Sequence, residues 1–315
     1  MKTNIKRVLI WLGLSILMMV LWVVGLMVGN AIFPSGLLDM APNSSSNAGP
    51  MLLFLTCALN TGVILYFIHH ARVKGWRLVG IVFLFTFGIQ YFMSQIETLW
   101  FNDSIDLPIN GIWAIITGGA VMILLFSVAA AWITGNFNIS GELVSRPIKR
   151  DLWPIAKRMV LLSVVVWPLI YFLAGYCIAW QFAEVRLLYS DTSEMAPFLS
   201  IMEANIASGL YFFQIARGIF WILIALPVLA ATNGSLIHKG IILGLLFAIL
   251  GSSGLLIPNP VMSDMVRMAH LLETAPSDFI WGFIIAWNFG RFTLSKPNQI
   301  RLDKNTSLNQ PATIS

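Results

Sequence analysis

The chain has 315 residues, 58% of them hydrophobic and only 10% charged, with a formal net charge of +5. Soluble domains carry about 25% charged residues, so this composition, with a mean hydropathy of +0.82, excludes a water-soluble core. The basic excess is read as Lys and Arg held on the cytoplasmic side of a membrane, and not as a nucleic-acid surface.

The first segment, Met1–Arg7, places Lys2, Lys6 and Arg7 before an apolar run, Val8–Val28. That run exceeds the roughly 7–15 residues of a signal-peptide core, and no small-residue cleavage site follows it. It is expected to be an uncleaved first transmembrane helix. A span needs about 20 apolar residues. Further spans are expected over Met51–Phe67, Leu78–Ile96, Ile112–Thr134, Met159–Trp180, Ile206–Ala231, Gly240–Ile257 and Phe279–Leu294. The last is short and contains Asn288 and Arg291.

The segments between spans differ in kind. Asn30–Pro50 is rich in Ser, Asn, Pro and Gly and is expected to be irregular. Gln181–Asn205 is a longer, acidic loop. Within Pro258–Asp278, the apolar residues Val261, Met265, Met268, Ala269 and Leu272 recur at helical spacing, which predicts an amphipathic helix over Val261–Thr274 lying at the outer interface. Residues 293–315 are polar and are expected to form a disordered cytoplasmic tail.

Charge orients these spans. With the N-terminus inside, 16 of the 19 basic residues fall on inner segments, and only Arg186, Arg217 and Arg267 fall elsewhere. The expectation is an all-α fold: a polytopic integral membrane protein of eight transmembrane helices plus one outer interfacial amphipathic helix. Residues 1–292 would form one domain in the cell (inner) membrane, with both termini cytoplasmic. The two halves also share a layout. Each opens on Lys-Arg (Lys6-Arg7, Lys157-Arg158) and reaches Glu-Thr (Glu97-Thr98, Glu273-Thr274) before its fourth span. A 4+4 parallel repeat over residues 6–145 and 157–292 would follow, with Glu97 and Glu273 as equivalents.

Arg217 is the most informative residue. It lies well inside Ile206–Ala231, where a charge costs roughly 2.5–3.5 kcal/mol. Glu97 and Glu273 are its expected partners. Tyr211, Gln214 and Arg217 step by three along the sixth span, and Thr86, Gln90, Ser94 and Glu97 share a face of the third. Such faces turn inward, because lipid cannot satisfy them. They serve either as a structural clamp or as the lining of a cavity. Asp264, Arg267, His270 and Glu273 form a further polar stripe, either a solvated face or a set turned toward the centre. The candidate acid–base residues are therefore Glu97, His270 and Glu273. The candidate substrate-binding residues are Arg217, Gln214, Gln90, Tyr211 and Arg267.

Three motifs carry less. Cys57 and Cys177 are read as buried small hydrophobes. His270 and Glu273 have metal-ligand spacing, but the other histidines lie on the inner side, so no metal or cofactor is expected. Gly251-Ser252-Ser253-Gly254 resembles the nucleophile loop of intramembrane serine proteases, which would imply a Ser–His270 pair. Small residues for close helix packing are the plainer reading. The function expected from these residues is a transporter or permease component for a small or lipid-linked solute, with Arg217 holding an anionic group. The alternatives are a membrane-embedded enzyme acting on a lipid or peptide at the outer interface, and a non-catalytic assembly or sensory subunit. The bilayer is the only partner implied, and the oligomeric state is not.

Overall fold

The computed structural model describes residues 2–36, 48–137 and 153–293, whose regular structure is helical apart from one isolated β-bridge. The expected tail and most of the Asn30–Pro50 loop lie outside the described residues. The helices are α1 (Lys2–Ile32), α2 (Gly49–His70), α3 (Gly75–Trp100), α4 (Ile109–Ile133), α5 (Trp153–Gln181), α6 (Ala183–Ser190), α7 (Phe198–Ala207), α8 (Leu210–Ala231), α9 (Leu236–Leu256) and α10 (Asp264–Phe289). Seven of them, namely α1–α5, α8 and α9, are long and apolar enough to cross a membrane.

Leu, Ile, Val and Phe fill these helices on all sides, as expected where lipid covers one face and protein the other. The core holds the large fully buried side chains Phe67, Phe85, Phe126, Phe247 and Trp281. Backbones approach closely at glycine contacts. A Cβ on Gly118 of α4 would lie 2.2 Å from the Gly25 carbonyl of α1, and one on Gly282 of α10 would lie 2.8 Å from the Leu243 carbonyl of α9. Small residues admit such approaches.

Two helices carry π-helical turns, at Gly88–Met93 in α3 and Leu162–Val166 in α5. The second has a visible cause. Pro168 has no N–H to offer the Val164 carbonyl. The Tyr211 hydroxyl donates to that carbonyl instead, at 2.7 Å, and the Trp167 N–H reaches back to Leu162.

The described helices form a bundle with two chemically distinct ends. Lys6, Arg7, Arg72, Lys74, Arg77, Lys157, Arg158, Lys239 and Arg291 belong to helix ends and turns at one end, here called the basic end. Glu97, Asp103, Asp106, Glu184, Asp191, Glu194, Glu203, Asp264 and Glu273 belong to the other, the acidic end. At the basic end the α2–α3 and α8–α9 turns pair with each other. Ala71 bridges Thr232 antiparallel, the Arg72 N–H donates to the Ala231 carbonyl at 2.8 Å, and the Asn233 N–H donates to the His70 carbonyl at 3.1 Å.

Three expectations change. The acidic Gln181–Asn205 segment contains α6 and α7, and Gly209, at φ +84°, turns the chain so that α8 starts at Leu210. The interfacial helix and the last apolar run are not separate: α10 is one helix of 26 residues with Pro276 inside it. Its orientation is also the reverse of a surface helix. Met265, Met268 and Leu272 are exposed, while Arg267 and Glu273 are buried. Apolar side chains that suit lipid face outward, and the polar stripe is satisfied within the protein. Finally, Cys177 is exposed, and only Cys57 is buried.

Candidate functional site

The site is built where α3, α5, α8 and α10 meet near the acidic end. Arg217 lies about two turns into α8 and is only 4% exposed. Its two terminal nitrogens grip both oxygens of Glu97, at 2.6 and 2.7 Å. One of them also donates to Gln214 Oε1 at 3.1 Å. The rings of Trp167, Tyr171 and Phe213 each lie 5.9 Å from the guanidinium carbon, close enough for cation–π attraction. A bidentate carboxylate and three aromatic faces offset the cost of burying this charge. Its Nε has no hydrogen-bond partner among the described residues.

A second cluster joins α6 to α10. His270 Nδ1 lies 2.9 Å from Glu273 Oε2, and His270 Nε2 lies 3.3 Å from the Tyr189 hydroxyl. A carboxylate only accepts, so Nδ1 carries the proton. When the ring is neutral, Nε2 accepts from the Tyr189 O–H; when it is protonated, Nε2 donates to that oxygen instead. This cluster lies toward the acidic end, beyond the apolar runs. Burial pulls the His270 pKa down, but the hydrogen bond and charge of Glu273, with the charge of Glu97, outweigh it and leave it above its ordinary value of 6.5. Burial, Glu97 and Glu273 all push the Tyr189 hydroxyl up.

Both clusters line one cavity of about 760 Å³. Its walls are mainly apolar and aromatic, and it reaches exposed residues of the α6–α7 segment such as Thr192 and Glu194. Farther toward the basic end it is bounded by Gln90, Trp221, Gly251 and Asp278. These lie about one to two turns inward of Glu97, Arg217 and Glu273 along their own helices. Asp278 is 7% exposed and has no hydrogen-bond or ion-pair partner among the described residues.

Five of the residues singled out in the sequence meet here: Gln90, Glu97, Arg217, His270 and Glu273. Three do not. Tyr211 completes the interrupted α5. Gln214, wholly buried, accepts from Arg217 and from Trp167 Nε1. Arg267 bonds Asp264 and the carbonyls of Leu255 and Met262, fixing the α9–α10 turn. Arg217 is paired with Glu97 and not with Glu273.

The protease resemblance also fails on geometry. The Ser252 hydroxyl donates to Ala248 O and that of Ser253 to Asn60 Oδ1, while His270 is engaged by Glu273 and Tyr189. Asp278, Tyr171, Trp167 and Tyr189 are the lining residues that sequence reasoning missed. Asp278 had a usable signal, a carboxylate two residues after a proline that does not end the helix. No protein-family model matches the chain, and no curated protein or solved structure is detectably similar to it.

Proposed function

We propose that this is a transporter or permease component whose cavity opens outward and takes an amphipathic ligand, a small or lipid-linked solute. The observation that carries this reading is the cavity itself: apolar, aromatic walls beside an inward-facing set of Glu97, Arg217, His270, Glu273 and Asp278. Ligand sites combine a mostly apolar lining with a few placed polar groups. Glu97 keeps 32% of its side chain accessible, so the Arg217–Glu97 pair borders the cavity instead of sealing it, which speaks against a purely structural role. The π turn in α3 contributes Ile89, Gln90 and Met93 to the cavity wall, and such turns are frequent at functional sites.

The same reading takes the basic end as cytoplasmic and α10 as the eighth span, with its stretch after Pro276 packed along α9. It also takes the halves as a 4+4 repeat. The boundaries of α8 and the start of α9 lie at one constant interval from those of α2 and α3 (Gly49/Leu210, His70/Ala231, Gly75/Leu236). The pairs α1–α2, α1–α4, α3–α4 and α2–α9 have counterparts in α5–α8, α5–α10, α9–α10 and α3–α8. In this register Glu97 and Glu273 fall on non-corresponding helices, and the counterpart of Arg217 is Thr56.

The test is native mass spectrometry of protein extracted with its surrounding lipid. A defined amphipath should accompany the wild type and be lost from Gly175→Phe and Gly254→Trp, both of which build into the cavity. A Cβ at Gly175 meets only Glu273 Oε1 at 3.4 Å, and one at Gly254 meets nothing within 4 Å. Wild type carrying only bulk lipid would overturn the reading. One observation favours a second reading, an enzyme acting at the same face. Glu273 orients His270 so that Nε2 can serve as a base. Turnover of the bound amphipath, abolished in His270→Ala, would select it.

A further inference from the structure

One acid of the cavity is engaged by no side chain among the described residues. Arg217 spends its terminal nitrogens on Glu97 and Gln214, so the arginine of the cavity is already engaged by a carboxylate. Of the two buried acids, Glu273 is bonded to His270, and Asp278 to nothing among the described residues. A buried carboxylate is costly unless it is paired or hydrogen-bonded, and among the described residues no side chain bonds Asp278, which lines the cavity. Other residues that line the cavity also carry unpartnered atoms. Gln90 Oε1, Gln95 Oε1 and Trp221 Nε1, on residues that line the cavity, have no hydrogen-bond partner among the described residues, and the Trp221 ring borders it. Gly251 makes room: a Cβ there would lie 2.6 Å from Asp278 Oδ2.

We propose that the inner end of the cavity is a subsite for the ammonium group of an amphipathic amine, with Asp278 as its counter-ion. This rests on the reading of the cavity as the site of an amphipathic ligand and names that ligand's charge. A carboxylate, amide oxygens and an aromatic ring are what an alkylammonium uses: hydrogen-bond acceptors for its N–H groups and a π-face for its charge. Among the described residues no three His, Cys, Asp or Glu side chains gather to hold a metal ion, and the apolar walls suit an alkyl or aryl body. The wider expectation that Arg217 recruits an anion is thereby replaced by selection for a cation.

The test is calorimetric titration of the full-length protein in phosphatidylcholine nanodiscs with octylamine, octanol and octanoate at neutral pH, where octylamine is an ammonium. Octylamine should bind about tenfold more tightly than octanol, the usual advantage of a hydrogen bond to a charged group, and octanoate should bind most weakly. Asp278→Asn should remove the preference and keep octanol binding. Gly251→Ala and Gln90→Leu should weaken octylamine binding while leaving octanol unchanged, and they keep the proposal testable if Asp278→Asn fails to fold. Equal binding of octylamine and octanol to wild type, or a preference that survives these substitutions, would overturn the ammonium subsite and leave the cavity reading intact. If no probe binds in a manner that Gly175→Phe abolishes, both fall.

Discussion

Arg217 and Glu97 were legible in the sequence because a charge inside an apolar run demands a partner. The geometry is bidentate, which sets the expected outcome of substitution. Arg217→Ala leaves Glu97 facing the cavity without its counter-charge. The loss should be about 3 kcal/mol, the low end for breaking a buried pair, because Glu97 is one-third exposed. Arg217→Lys cannot span both oxygens and should recover only part of the loss. Thermal unfolding followed by tryptophan fluorescence measures both. At His270 the sign is set by Glu273. The raised pKa means the protonated ring is favoured in the folded site. Its contribution is complete below pH 6.5 and disappears as pH rises through the raised value. Glu273→Gln leaves burial to act with less opposition, so the His270 pKa should fall. Histidine-selective NMR titration checks this, and an unchanged value would remove Glu273 as the cause. Asp278 was passed over because it falls between the two stretches expected to be helical, Val261–Thr274 and Phe279–Leu294.

Hydropathy located the spans because a helix needs about 20 apolar residues to cross the hydrocarbon, and α1–α5, α8 and α9 obey that rule. What periodicity does not carry is where a helix departs from regular geometry. The π turn in α3 lies inside an apparently regular run, so a constant step of three or four residues misplaces the residues around it. Thr86 and Gln90 share the predicted face, yet Thr86 is fully buried and Gln90 lines the cavity. In α5 the departure follows from Pro168, and Tyr211 is its mend rather than a ligand contact. Tyr211→Phe should orphan the Val164 carbonyl and cost about 1–3 kcal/mol, seen as a lower unfolding temperature with octanol binding retained. Loss of ligand binding without loss of stability would return Tyr211 to the site. In α10 the polar stripe was read correctly as one face, but which way it turned depended on what lay outside. On this helix Met265, Met268 and Leu272 are outer, while Val266 and Ala269 pack inside with the polar stripe's Arg267 and Glu273.

For the whole molecule, the separation of charge between its ends gives a direct test of orientation. A membrane-impermeant maleimide applied outside intact cells should label Thr192→Cys and not Lys74→Cys, in a Cys177→Ser background. The reverse pattern would place the cavity mouth in the cytoplasm. The paired turns at the basic end have a mechanical consequence. Ala71 and Thr232 face each other without exchanging bonds themselves, a pairing that sets Cα atoms about 4.5 Å apart, within the range a disulfide accepts. They clasp the α2–α3 turn to the α8–α9 turn, and on the 4+4 reading proposed above they join its two halves, at the end of the bundle opposite the cavity mouth. If the protein is the transporter proposed above, passage of a solute through the basic end requires that clasp to part, while entry from the acidic end does not. A covalent lock made by Ala71→Cys with Thr232→Cys should therefore leave binding intact and stop translocation until a reductant is added. If the locked protein still moves its solute, the halves do not separate there.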